Sequence, residues 1–167
     1  LFPYTTLFRS AATGQPADLA GLAPFVQRAG ALDGLVALTV DSLIYHDAGA
    51  TDVEEVALAV ATAVAYVRAL EGEGVSPAEA FAAIDFRVAA TADQFSTIAK
   101  LRALRRLWAR VGDLADVPEE VRAARIHAVT SARMLTATDP WVNVLRGTIA
   151  CFSASAKSCR SASGSVR

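Results

Sequence analysis

The chain has 167 residues, 53% of them apolar and 20% charged, enough to bury a core and too apolar for a disordered chain. Its 16 basic and 17 acidic residues leave a formal charge of -1, which excludes a general nucleic-acid or polybasic membrane binder. The longest uncharged apolar run, Val56 to Val67, falls short of the roughly 20 residues a bilayer span takes, so no membrane partner is expected. No basic, then apolar, then small-residue pattern marks a secretory leader, and the expected location is cytoplasmic. Cys151 and Cys159 lack CxxC spacing and a nearby His, so no metal site is expected.

Leu1 to Ser10 read LFPYTTLFRS, which looks like a translated sequencing adapter. Residues 1–10 are set aside as adapter-like, and residues 11–153 are expected to form the folded body. Residues 154–167 are Ser-rich, basic and without period, and read as a disordered or frameshifted tail.

The elements follow in chain order. Ala17 to Ala29 reads as a helix. Leu35 to Ile44, apolar and rich in β-branched residues after Asp33-Gly34, reads as a buried parallel strand that presents Tyr45-His46-Asp47 at its C-terminal end. Thr51 or Asp52 caps a helix with Glu54 and Glu55 in its first turn, running to about Leu70 and stopped by Gly72 and Gly74. Ser76-Pro77-Ala78-Glu79 opens a short helix to about Ala82. Ile84 to Ala89 reads as a second strand. Thr91 or Asp93 starts a helix whose Ile98, Leu101, Leu104, Trp108 and Val111 share a face, with Gly112 at its end. Its Lys100 to Arg110 charges read as a solvated outer face. Arg125 to Val129 reads as a third strand. Asp139-Pro140 begins a last helix with Val144, Leu145 and Ile149 on its apolar side.

Strands alternating with helices at this spacing imply βαβ units in a parallel sheet. An open doubly wound sheet and a (β/α)8 barrel both fit. No GxGxxG or GxxxxGK[ST] follows a strand, so nucleotide-binding versions lose support. A complete barrel takes roughly 250 residues, so the expectation is an α/β fold, a partial (β/α)8 TIM barrel of about three strand–helix units.

Sites in such folds gather at the C-terminal ends of strands. Tyr45-His46 after the first strand and His127 in the third, followed by Thr130 and Ser131, are the candidates there. A His can donate a hydrogen bond to a substrate carbonyl or move a proton near neutral pH. The plainer alternative is a ring satisfied by a loop carbonyl. Arg87 and Arg125 lie in strands and need a partner, with Asp85 or Asp41 as the available carboxylates.

DFRVAATADQFSTIAKLRALRRLWARV and HAVTSARMLTATDPWVNVLRGTIACFSA, together with VDSLIYHDAGA, resemble the methylmalonyl-CoA mutase family over about Ala17 to Phe152. The likeness is strongest to the small, non-cobalamin-binding chain of the heterodimeric bacterial enzyme. The resemblance implies a (β/α)8 barrel whose axis takes acyl-CoA. It also implies an isomerase of propionate metabolism that exchanges methylmalonyl-CoA and succinyl-CoA by adenosylcobalamin-dependent radical chemistry. The cofactor carries that chemistry and the protein orients and shields it. The implied partner is a catalytic large subunit.

By the same resemblance, Tyr45 and His46 correspond to a catalytic Tyr-His pair, and His127, Thr130, Asn143 and Arg146 to substrate-binding positions. The family pattern YHMQEAGA stands here as YHDAGA. Anchored on AGA without a gap, His46 falls on the Gln and the pair falls on Leu43-Ile44. Ala83 and Asp85 stand where the catalytic chain has a CoA-contacting Arg and Ser, and Val129 replaces a Gln. No DxHxxG cobalt-ligand motif occurs. These departures raise the alternative of a non-catalytic structural subunit that stabilises the catalytic chain, and the fragment alone is expected to be inactive.

Overall fold

The computed structural model describes residues 19–32 and 35–155. The adapter-like start, residues 17–18 of the helix expected from Ala17, the Asp33-Gly34 turn, Cys159 and the tail from residue 156 onward lie outside the described residues, and residues 19–21 are not helical: that helix begins only at Leu22, after Gly21 at φ 80°.

Helix α1 (Leu22–Gly30) precedes strand β1 (Leu38–Asp41), the one-turn helix α2 (Leu43–Asp47) and the long helix α3 (Asp52–Gly72). Helix α4 (Pro77–Ala82), strand β2 (Ile84–Ala90) and helix α5 (Gln94–Leu114) follow. A 3-10 turn (Glu119–Val121), strand β3 (Ile126–Thr130), a second 3-10 turn (Ala132–Met134) and helix α6 (Pro140–Ser155) complete the described chain.

The caps expected from the sequence form. Thr51 and Glu54 make a reciprocal capping box at α3, and Ser76 and Glu79 make another at α4, with Pro77 in the first turn. These bonds hold the Glu54 and Glu79 carboxyls below their ordinary pKa. Asp93 caps α5 by accepting from the Ser96 N–H. The N-terminus of α1 is capped from a distance: Gly21 and Ala23 donate their backbone N–H groups to the two oxygens of Glu73.

The three strands form one parallel sheet in the order β1-β2-β3. Leu38 and Val40 of β1 and Ile84, Phe86 and Val88 of β2 are buried among Ala59, Ala63, Tyr66 and Leu70 of α3 and Leu101, Leu104 and Trp108 of α5. Trp108 stacks on Phe81 at 4.1 Å between ring centres and meets the edge of Phe86 at 5.1 Å. The alternate strand positions face the other way. Asp41, Arg87 and His127 share one row across the three strands, with Thr39 and Asp85 in the row before it.

The structure corrects five local expectations. The first strand is shorter than Leu35 to Ile44, because the chain turns at Asp41-Ser42. The Leu43 N–H bonds to Asp41 Oδ1, as in an Asx turn, and Ser42 is helical in φ and ψ. Tyr45-His46-Asp47 therefore lie on a helix rather than at a strand end. Arg125 precedes β3, and its guanidinium bonds to the carbonyl oxygens of Ala82 and Ile84. Gly112 does not stop α5, which continues to Leu114. A Cβ there would lie 2.9 Å from Arg122 Cγ and 3.0 Å from the Phe81 ring, so the glycine permits a close approach instead. Lys100 leaves the solvated stripe and is buried, while Arg102, Arg106 and Arg110 stay exposed. Val144 and Leu145 are exposed because α6 turns Ala150 and Ser153 inward.

Candidate functional site

A sealed polar cluster occupies the C-terminal rim of the sheet. Ser42, just past β1, shares its hydroxyl proton between Glu55 Oε1 at 2.9 Å and the Arg87 carbonyl at 2.8 Å. Glu55, in the first turn of α3, also accepts the Ala89 N–H at 2.9 Å on Oε1 and the Lys100 ammonium at 2.8 Å on Oε2. Lys100 reaches Asp52 Oδ1 as well, at 2.7 Å. Charges this deep survive only when paired and hydrogen-bonded. Here one carboxylate receives three donors, from β1's end, β2 and α5.

His46 adjoins this cluster. Its Nε2 lies 2.7 Å from Ser131 Oγ, and its Nδ1 lies 3.6 Å from Glu55 Oε2 without a hydrogen bond. Burial pushes its pKa below the ordinary value, Lys100 and Arg133 add to that shift, and Glu55 and Asp47 oppose it. Arg133 donates to the His46 carbonyl at 2.6 Å.

The sequence-predicted site residues are spread over several places. His46 is buried against Ser131 and Glu55. Tyr45 is half-buried in a shallow groove against Glu54, Ala57 and Leu58 of α3. His127 is exposed in the Asp41–Arg87 row, where Arg87 Nη1 and Asp41 Oδ2 pair at 2.9 Å. This pair realises one of the two carboxylates expected for Arg87. Thr130, three residues on from His127, falls on the opposite face of β3. It shares a groove of about 630 Å³ with Asn143 and the α6 residues Val144, Gly147 and Cys151. Asn143 holds both backbone groups of Thr136, at 3.0 and 2.7 Å, and Arg146 reaches Asn143 Oδ1 at 3.5 Å. Only Thr130 and Asn143 line a common groove, and Arg146 reaches it through Asn143.

Sequence reasoning placed Ser131 among the candidates after the third strand but did not connect it to His46, and it missed Glu55, Lys100 and Arg133. The signal for Lys100 was its place four residues before Leu104, on the buried side of α5 with Thr97 and Leu101. Glu55 read as an N-terminal charge favoured by the helix dipole, which gives no hint of burial. Arg133 had no local signal. Among the described residues no cluster of three His, Cys, Asp or Glu could hold a metal ion, and no helix is long and apolar enough to cross a membrane.

A family model described as methylmalonyl-CoA mutase matches residues 29–163. The chain belongs to the methylmalonyl-CoA mutase family. It is 58% identical over 121 residues to a methylmalonyl-CoA mutase small subunit of Streptomyces virginiae, covering 72% of this chain and 20% of that protein. It is also 58% identical to the small subunit of Propionibacterium freudenreichii subsp. shermanii, over 71% of this chain and 19% of the relative. A methylmalonyl-CoA mutase of Escherichia coli (strain K12) is 35% identical over 66% of this chain and 16% of its own length. The chain thus spans about a fifth of the length of the curated small subunits it matches.

Proposed function

We propose that this chain is an arc of the (β/α)8 barrel of a methylmalonyl-CoA mutase small subunit, and that its role is to support a catalytic large subunit. The strand order β1-β2-β3 supports the barrel reading. Right-handed crossovers between sequential neighbours keep every helix on one face, whereas a doubly wound sheet reverses direction. The open face then becomes the barrel interior.

The observation that carries the structural role is the commitment of His46. A ring sealed against Ser131 and Glu55 has no face left for a thioester carbonyl. The Asp41–Arg87 ion pair and Asp85 add charge to the interior face, and a carboxylate there repels an anionic acyl-CoA. His46 is buried and engaged, and Asn143 is bonded to both backbone groups of Thr136. In this reading the complete heterodimeric enzyme would bind adenosylcobalamin, which would supply the radical chemistry for exchanging methylmalonyl-CoA and succinyl-CoA in the cytoplasm.

A second reading keeps the parent barrel catalytic, with His127, Thr130, Asn143 and Arg146 touching the acyl-CoA. It is favoured by His127, which is exposed on the interior face. Purification with and without a large subunit, followed by assay with adenosylcobalamin and methylmalonyl-CoA, separates the two. The structural role predicts complex formation and no turnover by this chain alone. Turnover without the partner overturns it.

A further inference from the structure

Between Asp93 at its N-cap and Asp113 near its end, α5 holds no carboxylate. It holds Lys100, Arg102, Arg105, Arg106 and Arg110 instead. Lys100 turns inward to Asp52 and Glu55, but Arg102, Arg106 and Arg110 stand exposed on one face at spacings of four. Arg110 and Arg122 share Asp113. Among the described residues, Arg102 and Arg106 form no ion pair or hydrogen bond through their side chains.

A solvated helix face gains from carboxylates four residues away from its cations, whereas like charges at that spacing repel. The arginine ridge therefore opposes the helix that carries it. Apolar groups run beside the ridge: Ala103, Leu107 and Leu114, at spacings of four and seven, are all exposed. An open groove of about 800 Å³ is lined by Ala103, Leu107 and Ala109 and by the Arg106, Arg110 and Arg122 side of the face.

The chemistry of the face selects its occupant. Free guanidinium groups are matched by carboxylates, which accept two parallel N–H bonds. Exposed leucines are matched by apolar cover, which a nucleic-acid backbone does not give. A long polyanion also meets a chain whose total charge is -1. A second copy packed two-fold on the same patch would set the arginine ridges against each other. A helix that bears carboxylates beside aliphatic groups satisfies both halves of the face, and its axis would lie about 8–10 Å from that of α5.

We propose that the outer face of α5 docks an acidic amphipathic helix from another protein chain. The carboxylates of that helix pair with Arg102 and Arg106, and its aliphatic side chains lie over Leu107 and Leu114. The surface stands on the side-chain pattern of α5 and goes beyond the role proposed above, whichever protein supplies the helix.

Fluorescence anisotropy of the full 167-residue chain with a labelled helical peptide of about 20 residues tests this. The peptide carries glutamates along one ridge and leucines along the next, and it is expected to bind with a Kd of about 0.1 mM or tighter. Arg102→Glu with Arg106→Glu should weaken binding about tenfold or more. Leu107→Ser should weaken it about threefold or more. All three side chains are exposed, so circular dichroism should show both variants folded. No binding, or binding that the arginine pair does not weaken, overturns the proposal. An unchanged affinity in L107S, or equal binding of a short DNA duplex, would leave a bare polyanion surface and overturns it as well. A dimer in sedimentation that the two arginine substitutions abolish assigns the face to a second copy, against the proposal. If a variant loses its helical signal, a salt titration of the unsubstituted chain decides, and an affinity unchanged between about 0.05 and 0.5 M NaCl removes the arginines from the contact.

Discussion

Lys100 Nζ lies 2.8 Å from Glu55 Oε2, and both side chains are sealed from water. The pair joins α5 to α3 above the ends of β1 and β2, and its worth is asymmetric. Forming a buried pair gains little net stability, because desolvation offsets attraction, but removing one partner strands a charge. Lys100→Met should therefore lower unfolding stability by about 3–5 kcal/mol. Adding Glu55→Gln to it should recover part of that loss, since the amide is neutral. Urea unfolding of the two variants checks this, and an equal or larger loss in the double variant would contradict it.

Gly112→Ala sets two effects against each other. Alanine in a helix interior gains about 1 kcal/mol over glycine. The added Cβ would meet Arg122 Cγ at 2.9 Å and the buried Phe81 ring at 3.0 Å. Arg122 can move, but Phe81 is stacked on Trp108 and cannot move without disturbing it. Overpacking of this kind costs about 1–3 kcal/mol, so the net outcome should be a lower melting temperature. A stabilised variant would show that the ring gives way freely.

Trp108→Ala should be among the most damaging core changes, at about 3–5 kcal/mol. The indole is 1% exposed and touches both Phe81 of α4 and Phe86 of β2, so its loss opens a cavity between helix and sheet. Near-ultraviolet circular dichroism and thermal melting measure the loss. A variant with unchanged melting would place Trp108 outside the cooperative core.

The capping boxes carry an acid signature. Glu54 and Glu79 have pKa values lowered by their bonds to Thr51 and Ser76. A depressed carboxylate contributes stability above its unfolded pKa and loses it as pH falls through the folded one, so this contribution fades below the ordinary 4.5. Thr51→Ala and Ser76→Ala should each cost about 1 kcal/mol at neutral pH and flatten that acid-limb dependence. Equal acid sensitivity in the variants and the unsubstituted chain would remove these caps from the explanation.

Helix α6 presents Trp141, Val144, Leu145 and Phe152 to solvent, with exposures of 82%, 64%, 60% and 58%. An apolar stripe of this size promotes association. Val144→Lys with Leu145→Lys should reduce concentration-dependent self-association in sedimentation without lowering the melting temperature. A fall in melting temperature would show that these side chains already support the fold.

The elements with local causes were legible in the sequence. The two capping boxes, Pro77 at a helix start and the spacing of Leu101, Leu104 and Trp108 are local patterns, and each appears where it was expected. The family was legible too, from the KLRA, RRLW and DPWVN stretches. The first strand is shorter than its apolar run suggests, because that run continues through Leu43-Ile44 past the Asp41-Ser42 turn. The exposed apolar side of α6 is hidden from the sequence for another reason. Periodicity shows that a face is apolar but not whether anything covers it.

By itself, the sequence determined the alternation of helices and strands, the caps and the family, because each is written within a few residues of its cause. Only the tertiary structure decided the rim. His46 meets Ser131 across 85 residues, and Glu55 meets Lys100 across 45. Those distances are closed by the β1-β2-β3 parallel register, which brings three strand ends to one edge. Once there, buried charges must find partners wherever the fold supplies them, and no local pattern records which partners those are.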